Sequence, residues 1–248
     1  MTSLVLLSGW GIDAGIWRPL ADHWPLGVTV TTPDWPGYGG LPPLASPDSL
    51  EQLAAAMADE LPREAVWVGW SLGGLLVAAL LERLAAPLSP PRGLVQLGMG
   101  PRFCHPDGVS NRELAAFRHA FTRDPVATRR HFLRWQLSGE PDPRGAHRRL
   151  LELIGDDVDA ATLAAGLDQL AGLDVDKALK DAPCPIHRLT GRHDPLLAEE
   201  TLATADRVLE NAGHCPMLSH PAALAEALVA LAGDMTAPLE SPAEEAPA

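Results

Sequence analysis

The sequence predicts an α/β fold: a mostly parallel sheet with helices on both faces and a helical block inserted as a cap. Three observations predict it. Strand-forming runs alternate with helical patterns along most of the 248 residues, the arrangement of parallel strands joined by crossover helices. At "VWVGWSLGGLLVAALL", residues 66–81, a strand-like run passes at once into a helical one, through a corner that carries glycines at Gly69 and Gly73. Between about residues 101 and 173 the alternation stops, and the signals are all helical.

Taken in order, Leu4–Leu7 is the first strand-like run, and Gly9 and Gly11 let the loop after it turn inward. Gly15–Trp24 is helical, Val28–Thr32 is the second strand, and Leu50–Glu60 is the next helix. Val66–Gly69 is the third strand, Leu72–Leu84 the helix it feeds, and Gly93–Leu97 the fourth strand. In the helical block, Asp124-Pro125 and Asp142-Pro143 each set a capping carboxylate before a proline at the first helical position. Ile186–Thr190 is the fifth strand, a weaker run near Asp206–Leu209 the sixth, and Ala222–Leu231 the last helix. The core is therefore expected over residues 1–100 and 174–232, and the cap over 101–173. The stretch 233–248, "GDMTAPLESPAEEAPA", is rich in Pro, Ala and Glu with little to bury, so a disordered tail is expected there.

Composition narrows the classes. With 46% hydrophobic and 21% charged residues the chain is globular. No apolar run reaches the ~20 residues of a membrane helix, and "SLVLLSG" is too short for a signal peptide. Three cysteines without a C-x-x-C pair argue for a reducing compartment and against a zinc site. The expectation is a cytoplasmic monomer that holds no metal. A net charge of −13 argues against nucleic acid as a partner. Residues 102–149 run the other way, with ten arginines against five acids. That island suits a specific anionic partner; a solvated helical surface explains it equally well.

Ser71 sits at the centre of Gly69-x-Ser71-x-Gly73. A serine that only capped a helix would need no glycine two residues before it, whereas one standing clear of a tight strand-to-helix corner needs both. A serine nucleophile needs a base, and the base needs an orienting acid. Asp194 follows the fifth strand in "GRHDPLL", and His214 follows the sixth in "NAGHCPMLSHP". The order Ser…Asp…His is the one this architecture requires. His193, His220 and Cys215 are weaker candidates: His193 faces away from the loop's inner side, His220 precedes a helix start, and no elbow surrounds Cys215. An oxyanion site needs two backbone donors. Leu72, just after the serine, supplies one; Trp10, between Gly9 and Gly11, is assigned the other, with its ring expected to line the pocket.

Together "SGWG", "DWPGYGG", "GWSLGG", "GRHD" and "AGHCP…HP" resemble the α/β-hydrolase superfamily along nearly the whole chain. Within it, "GWG" paired with "WVGWSLGGL" is most similar to the esterase family that removes the methyl group from a pimeloyl chain on acyl carrier protein, in biotin synthesis. The resemblance implies a cofactor-free serine carboxylesterase with Ser71, Asp194 and His214 as its triad. It also implies that Trp10, Ser71, Leu72 and His214 border the substrate. By the same resemblance the cap stretch "FLRWQ", that is Phe132, Leu133, Arg134, Trp135 and Gln136, faces the chain. An acidic carrier would account for the arginine island, with Arg144 and Arg148 four apart on one helix face, and Arg130 likewise with Arg134. Ser8 stands where the family often has histidine. A broad short-chain esterase or lactonase, a C–C hydrolase or lyase with the same triad, and a non-catalytic acyl-binding protein remain as alternatives.

Overall fold

In the computed structural model, which describes residues 2–84 and 88–236, the strands are β1 (Thr2–Leu7), β2 (Val28–Thr31), β3 (Val66–Trp70), β4 (Gly93–Leu97), β5 (Ile186–Gly191) and β6 (Arg207–Leu209). They lie in the order β2-β1-β3-β4-β5-β6, every neighbouring pair parallel. After β1 the chain steps outward to β2, then crosses back to β3. The strand order therefore reverses between β1 and β3, where parallel sheets form ligand crevices at their C-terminal ends. The loop after β1 and the corner after β3 meet there.

Side chains of β1 and β3 alternate between two apolar clusters. Val5, Leu7 and Trp67 join one, while Leu4, Leu6, Val66, Val68 and Trp70 join the other. Both faces must therefore be covered by helices. The first cluster is covered by α1 (Leu50–Met57) and α2 (Leu72–Leu80), the second by a 3-10 helix (Ala14–His23) and by α9 (Pro216–Ser219) and α10 (Pro221–Thr236). Between β4 and β5 run α3 (Asn111–Arg123), α4 (Pro125–Trp135), α5 (Pro143–Leu153) and α6 (Ala160–Gly172). The short helices α7 (Asp176–Lys180) and α8 (Glu199–Ala203) flank β5. Asp124 and Asp142 cap α4 and α5 through Ala127 N and Gly145 N, with proline at the first turn, as the Asp-Pro pairs predict.

Several boundaries differ from expectation. The helix expected at Gly15–Trp24 is of 3-10 form and contains Pro19, which cannot donate to the preceding turn. The helix after Ser71 ends as α-helix at Leu80 and closes with one 3-10 turn, Leu81–Arg83. Helix α1 stops at Met57, short of Glu60. At the other end, α10 continues through Thr236, four residues into the stretch expected to be a tail, because Met235 is buried there against Gly93. The remainder of that stretch, 237–248, lies outside the described residues. Among the described residues no helix is long and apolar enough to cross a membrane.

Candidate active site

Ser71 has φ 55° and ψ −126°, and it is the only non-glycine with positive φ among the described residues. Such a conformation costs about 1–3 kcal/mol and persists only where its surroundings impose it. Ser71 N donates to Leu97 O at 2.9 Å, and Gly74 N donates to Ser71 O at 2.8 Å. A Cβ on Gly69 would lie 2.5 Å from Gly73 O, and one on Gly73 would lie 2.6 Å from Ser8 O. The corner is too tight for side chains at either position. Ser49, Ser110, Asp124, Asp142 and Asp159 all accept a backbone N–H at their helix starts, but Ser71 makes no cap hydrogen bond. The capping explanation for the serine fails, and its hydroxyl has no structural duty.

Asp194 sits on the loop after β5 and His214 on the loop after β6. His214 Nδ1 lies 2.7 Å from Asp194 Oδ2, and both side chains are fully shielded from solvent. Asp194 Oδ1 accepts Leu196 N at 2.9 Å, so each carboxylate oxygen has a fixed partner. Gly98, at φ +60°, makes room for the pair: a Cβ there would stand 3.2 Å from both Asp194 Oδ2 and His214 Nδ1. Trp70 Nε1 donates to His214 O at 2.8 Å, so the residue beside the serine also holds the histidine's backbone. With Nδ1 tied to a carboxylate, Nε2 has no hydrogen-bond partner among the described residues. That nitrogen is available to take a proton. No hydrogen bond joins it to Ser71 Oγ here; such contacts tighten when substrate seats. His193 is exposed. Cys215 is fully buried, and burial pushes its thiol well above the ordinary range, with the Glu140 and Asp194 carboxyls adding to the shift. A thiol so placed is inert.

The loop after β1 closes over the serine. A Cβ on Gly9 would lie 2.9 Å from Ser71 Cβ and 3.4 Å from Ser71 Oγ, so only glycine lets this backbone come so close. Beside it, Leu72 opens α2 and presents one of the free N–H groups at the positive end of that helix. The loop is held from both sides: Gly11 N donates to Tyr38 Oη at 3.2 Å, and Gly11 O accepts from Arg129 Nε at 2.8 Å. Burial pushes the Tyr38 phenol up to about 12, so it stays neutral in that role. Ser8, in the position noted for its departure, has a buried hydroxyl with no partner among the described residues, while its carbonyl accepts from Trp35 Nε1 at 2.8 Å.

Of two apolar cavities, one adjoins this corner and the other lies within the cap. The first, narrow, is lined by Gly9, Trp35, Tyr38, Leu72, Leu76 and Gly166. The other, wider, lies among α3, α4 and α6, lined by Leu114, Phe117, Phe132, Trp135, Leu167 and Leu170. Trp10 lines neither. Its ring is 1% exposed and packs edge-on against Phe117, Phe121 and Phe132, with Nε1 donating to Leu163 O at 2.8 Å. The cap gives this tryptophan the partners that its own loop lacks, and three of its neighbours, Phe117, Phe132 and Gly166, line the cavities.

The stretch Phe132–Gln136 does not face one way. On α4, residues three apart share a face, so Phe132 and Trp135 both line the cap cavity. Leu133 is buried in the opposite cluster with Ile12 and Trp17, Arg134 is exposed, and Gln136 is buried. The arginine island also divides. Arg129 is buried, Arg149 donates to Leu218 O at 2.9 Å, and Arg102 and Arg118 pair with Asp174 and Asp168. Arg112, Arg123, Arg130, Arg134, Arg144 and Arg148 are exposed and have no ion pair among the described residues. Sequence reasoning passed over Tyr38, Gly98, Arg129 and Glu140; only Gly98, just past a strand end, carried a local signal.

A serine on a strained elbow, above a buried His–Asp pair at the strand ends of a parallel sheet, defines a serine hydrolase of the α/β class. The chain belongs to the alpha/beta hydrolase family, whose model matches residues 4–227. It is 37% identical over 237 residues to a pimeloyl-[acyl-carrier protein] methyl ester esterase from Aromatoleum aromaticum, covering 88% of this chain and 93% of that one. A protein of the same name from Klebsiella pneumoniae is 33% identical, covering 92% of each. Among solved structures, an esterase from Exiguobacterium antarcticum superposes with a TM-score of 0.79 at 18% identity, over 94% of this chain and 92% of that one. That likeness concerns the fold.

Proposed function

We propose that this chain is a serine carboxylesterase that hydrolyses the methyl ester of a pimeloyl chain carried on acyl carrier protein, the unmasking step of biotin synthesis. The observation that carries the reaction class is the uncapped, strained Ser71 beside the buried His214–Asp194 pair. Near-full-length relatives named for that reaction support the substrate. Ser71 Oγ attacks the ester carbonyl while His214 Nε2 takes its proton. The oxyanion is met by the N–H groups of Leu72 and Trp10. Collapse expels the methoxy group, which leaves as methanol with the proton from His214. Water, activated by the same nitrogen, then releases the free carboxylate. Asp194 holds the imidazole and stabilises its charged form.

The apolar lining of the two cavities suits a methylene chain. Burying about five methylenes contributes roughly 4 kcal/mol, enough to fix which carbonyl of the substrate reaches Ser71. Phe132 and Trp135 are the cap side chains placed for that contact. Arg130, Arg144 and Arg148, exposed and without ion pairs, are the groups we assign to an acidic carrier. The test compares hydrolysis of methyl pimeloyl thioester on its carrier with that of free dimethyl pimelate. Preference for the carrier-bound ester is expected, while equal rates would favour a broad short-chain esterase or lactonase.

A further inference from the structure

The turn that follows α4 does more than end a helix. It packs backbone to backbone against both loops of the His–Asp pair. A Cβ on Gly139 would collide with His193 O, next to Asp194, and one on Gly213 would lie 2.8 Å from both the Gly139 carbonyl carbon and Glu140 Oε1. Glu140 itself is 4% exposed, and its Oε1 accepts Cys215 N–H at 2.7 Å. Its Oε2 has no partner among the described residues. A carboxyl group buried with only half of its bonding capacity met is a poor stabiliser.

The bond it does make falls on one particular peptide unit. The carbonyl of the His214–Cys215 peptide accepts from Trp70 Nε1 at 2.8 Å, and the N–H of the same unit donates to Glu140. One side of that peptide is thus held by Trp70, the last residue of β3 before Ser71, and the other by the cap. We propose that Glu140 is a positioning residue for His214: by clamping the 214–215 peptide from the cap, it fixes where Nε2 stands relative to Ser71. The inference rests on His214 acting as the base.

The test uses three variants and a readout that needs no natural substrate, the rate at which a phosphonofluoridate adds to Ser71. Glu140→Gln keeps an acceptor at the same reach, Glu140→Asp draws the carboxylate back by one methylene, and Glu140→Ala removes it. Glu140→Asp and Glu140→Ala should label more slowly by on the order of 10- to 100-fold, with kcat reduced in parallel and KM little changed. Glu140→Gln should stay within about threefold of the parent protein, since it restores the neutral hydrogen bond. A role in stability alone would lower Tm and leave the labelling rate of folded protein untouched. If Glu140→Ala does not fold, the Asp and Gln variants decide: equal rates in both overturn the proposal, as does Glu140→Gln labelling as slowly as Glu140→Asp. Failure of the parent protein to label at Ser71 would instead sink the serine-hydrolase reading, and this inference with it.

Discussion

Arg129 Nε donates to the carbonyl of Gly11 at 2.8 Å, joining a cap helix to the loop that overhangs Ser71. The same guanidinium donates to Gly155 O at 2.9 Å and meets Asp156 Oδ1 at 3.1 Å. Its planar fork serves three acceptors at once, which a lysine cannot do. Arg129→Met should therefore strand the buried carbonyl of Gly11, costing about 1–3 kcal/mol. Calorimetry should find Tm lower by roughly 2–12 °C. Activity should fall mainly in kcat, because the released loop carries the assigned oxyanion donor. An unchanged Tm and kcat would mean the bridge does no structural work.

Replacing Ser71 separates chemistry from strain. Ser71→Ala should lower ester hydrolysis by on the order of 10⁴-fold or more while leaving the fold intact. Ser71→Gly should be equally inactive but more stable than Ser71→Ala, since glycine adopts φ 55° at little cost. Near-normal turnover by folded Ser71→Ala protein would remove the serine from the mechanism.

The covalent adduct offers an independent check. A phosphonofluoridate should add one equivalent of mass at Ser71, and His214→Ala should block the addition, since a hydroxyl without its base is a weak nucleophile. Mass found on Cys215 would contradict both its burial and its raised thiol.

The parts of this site that were legible in the sequence are those that local geometry dictates. Gly69 and Gly73 announce the elbow because neighbouring backbone leaves no space for a Cβ at either position. Asp124-Pro125 and Asp142-Pro143 announce helix starts because proline loses nothing where no N–H is needed. The order of serine, acid and histidine follows from strand order. Illegible were the contacts made across long stretches of chain. Arg129 and Gly11 are 118 residues apart and Glu140 and Cys215 are 75 apart, and no local pattern marks either pair. Arginines that look alike in sequence therefore proved to differ, Arg129 being a buried clamp, Arg102, Arg118 and Arg149 partnered at the surface, and the other six exposed without ion pairs among the described residues. The run Phe132–Gln136 reads as one motif in a string, but wound into a helix its side chains face three ways, with Phe132 and Trp135 on the cap cavity.

Met235 turns an expectation about the C-terminal stretch into a different one. Truncation from Gly233 looks harmless from composition, yet Met235 is only 8% exposed and its side chain packs on Gly93 of β4. Met235→Ala should destabilise by about 2 kcal/mol or more, a fall in Tm of roughly 4–8 °C. Deletion from Gly233 should do at least as much. A truncated protein with the parent Tm would show that the last turn of α10 adds nothing to the core.

The exposed arginines give the sharpest test of the proposed carrier. Arg144 and Arg148 lie four residues apart on α5, and neither has an ion pair among the described residues, so reversing them breaks no internal contact. Arg149 on the same helix is a poor target, because it donates to Leu218 O at 2.9 Å. If an acidic carrier docks here, Arg144→Glu with Arg148→Glu should slow hydrolysis of the carrier-bound ester. The loss should appear in kcat/KM, since rim charges govern encounter more than chemistry. It should shrink as salt rises, the screening length being only about 8 Å at ~0.15 M. Hydrolysis of a small free methyl ester should be unaffected, because neither side chain lines either apolar cavity. Equal losses on the two substrates would mean that the double variant had damaged the cap. No loss on either would leave these arginines as solvated surface, and a broad esterase would then be the better account of the chain.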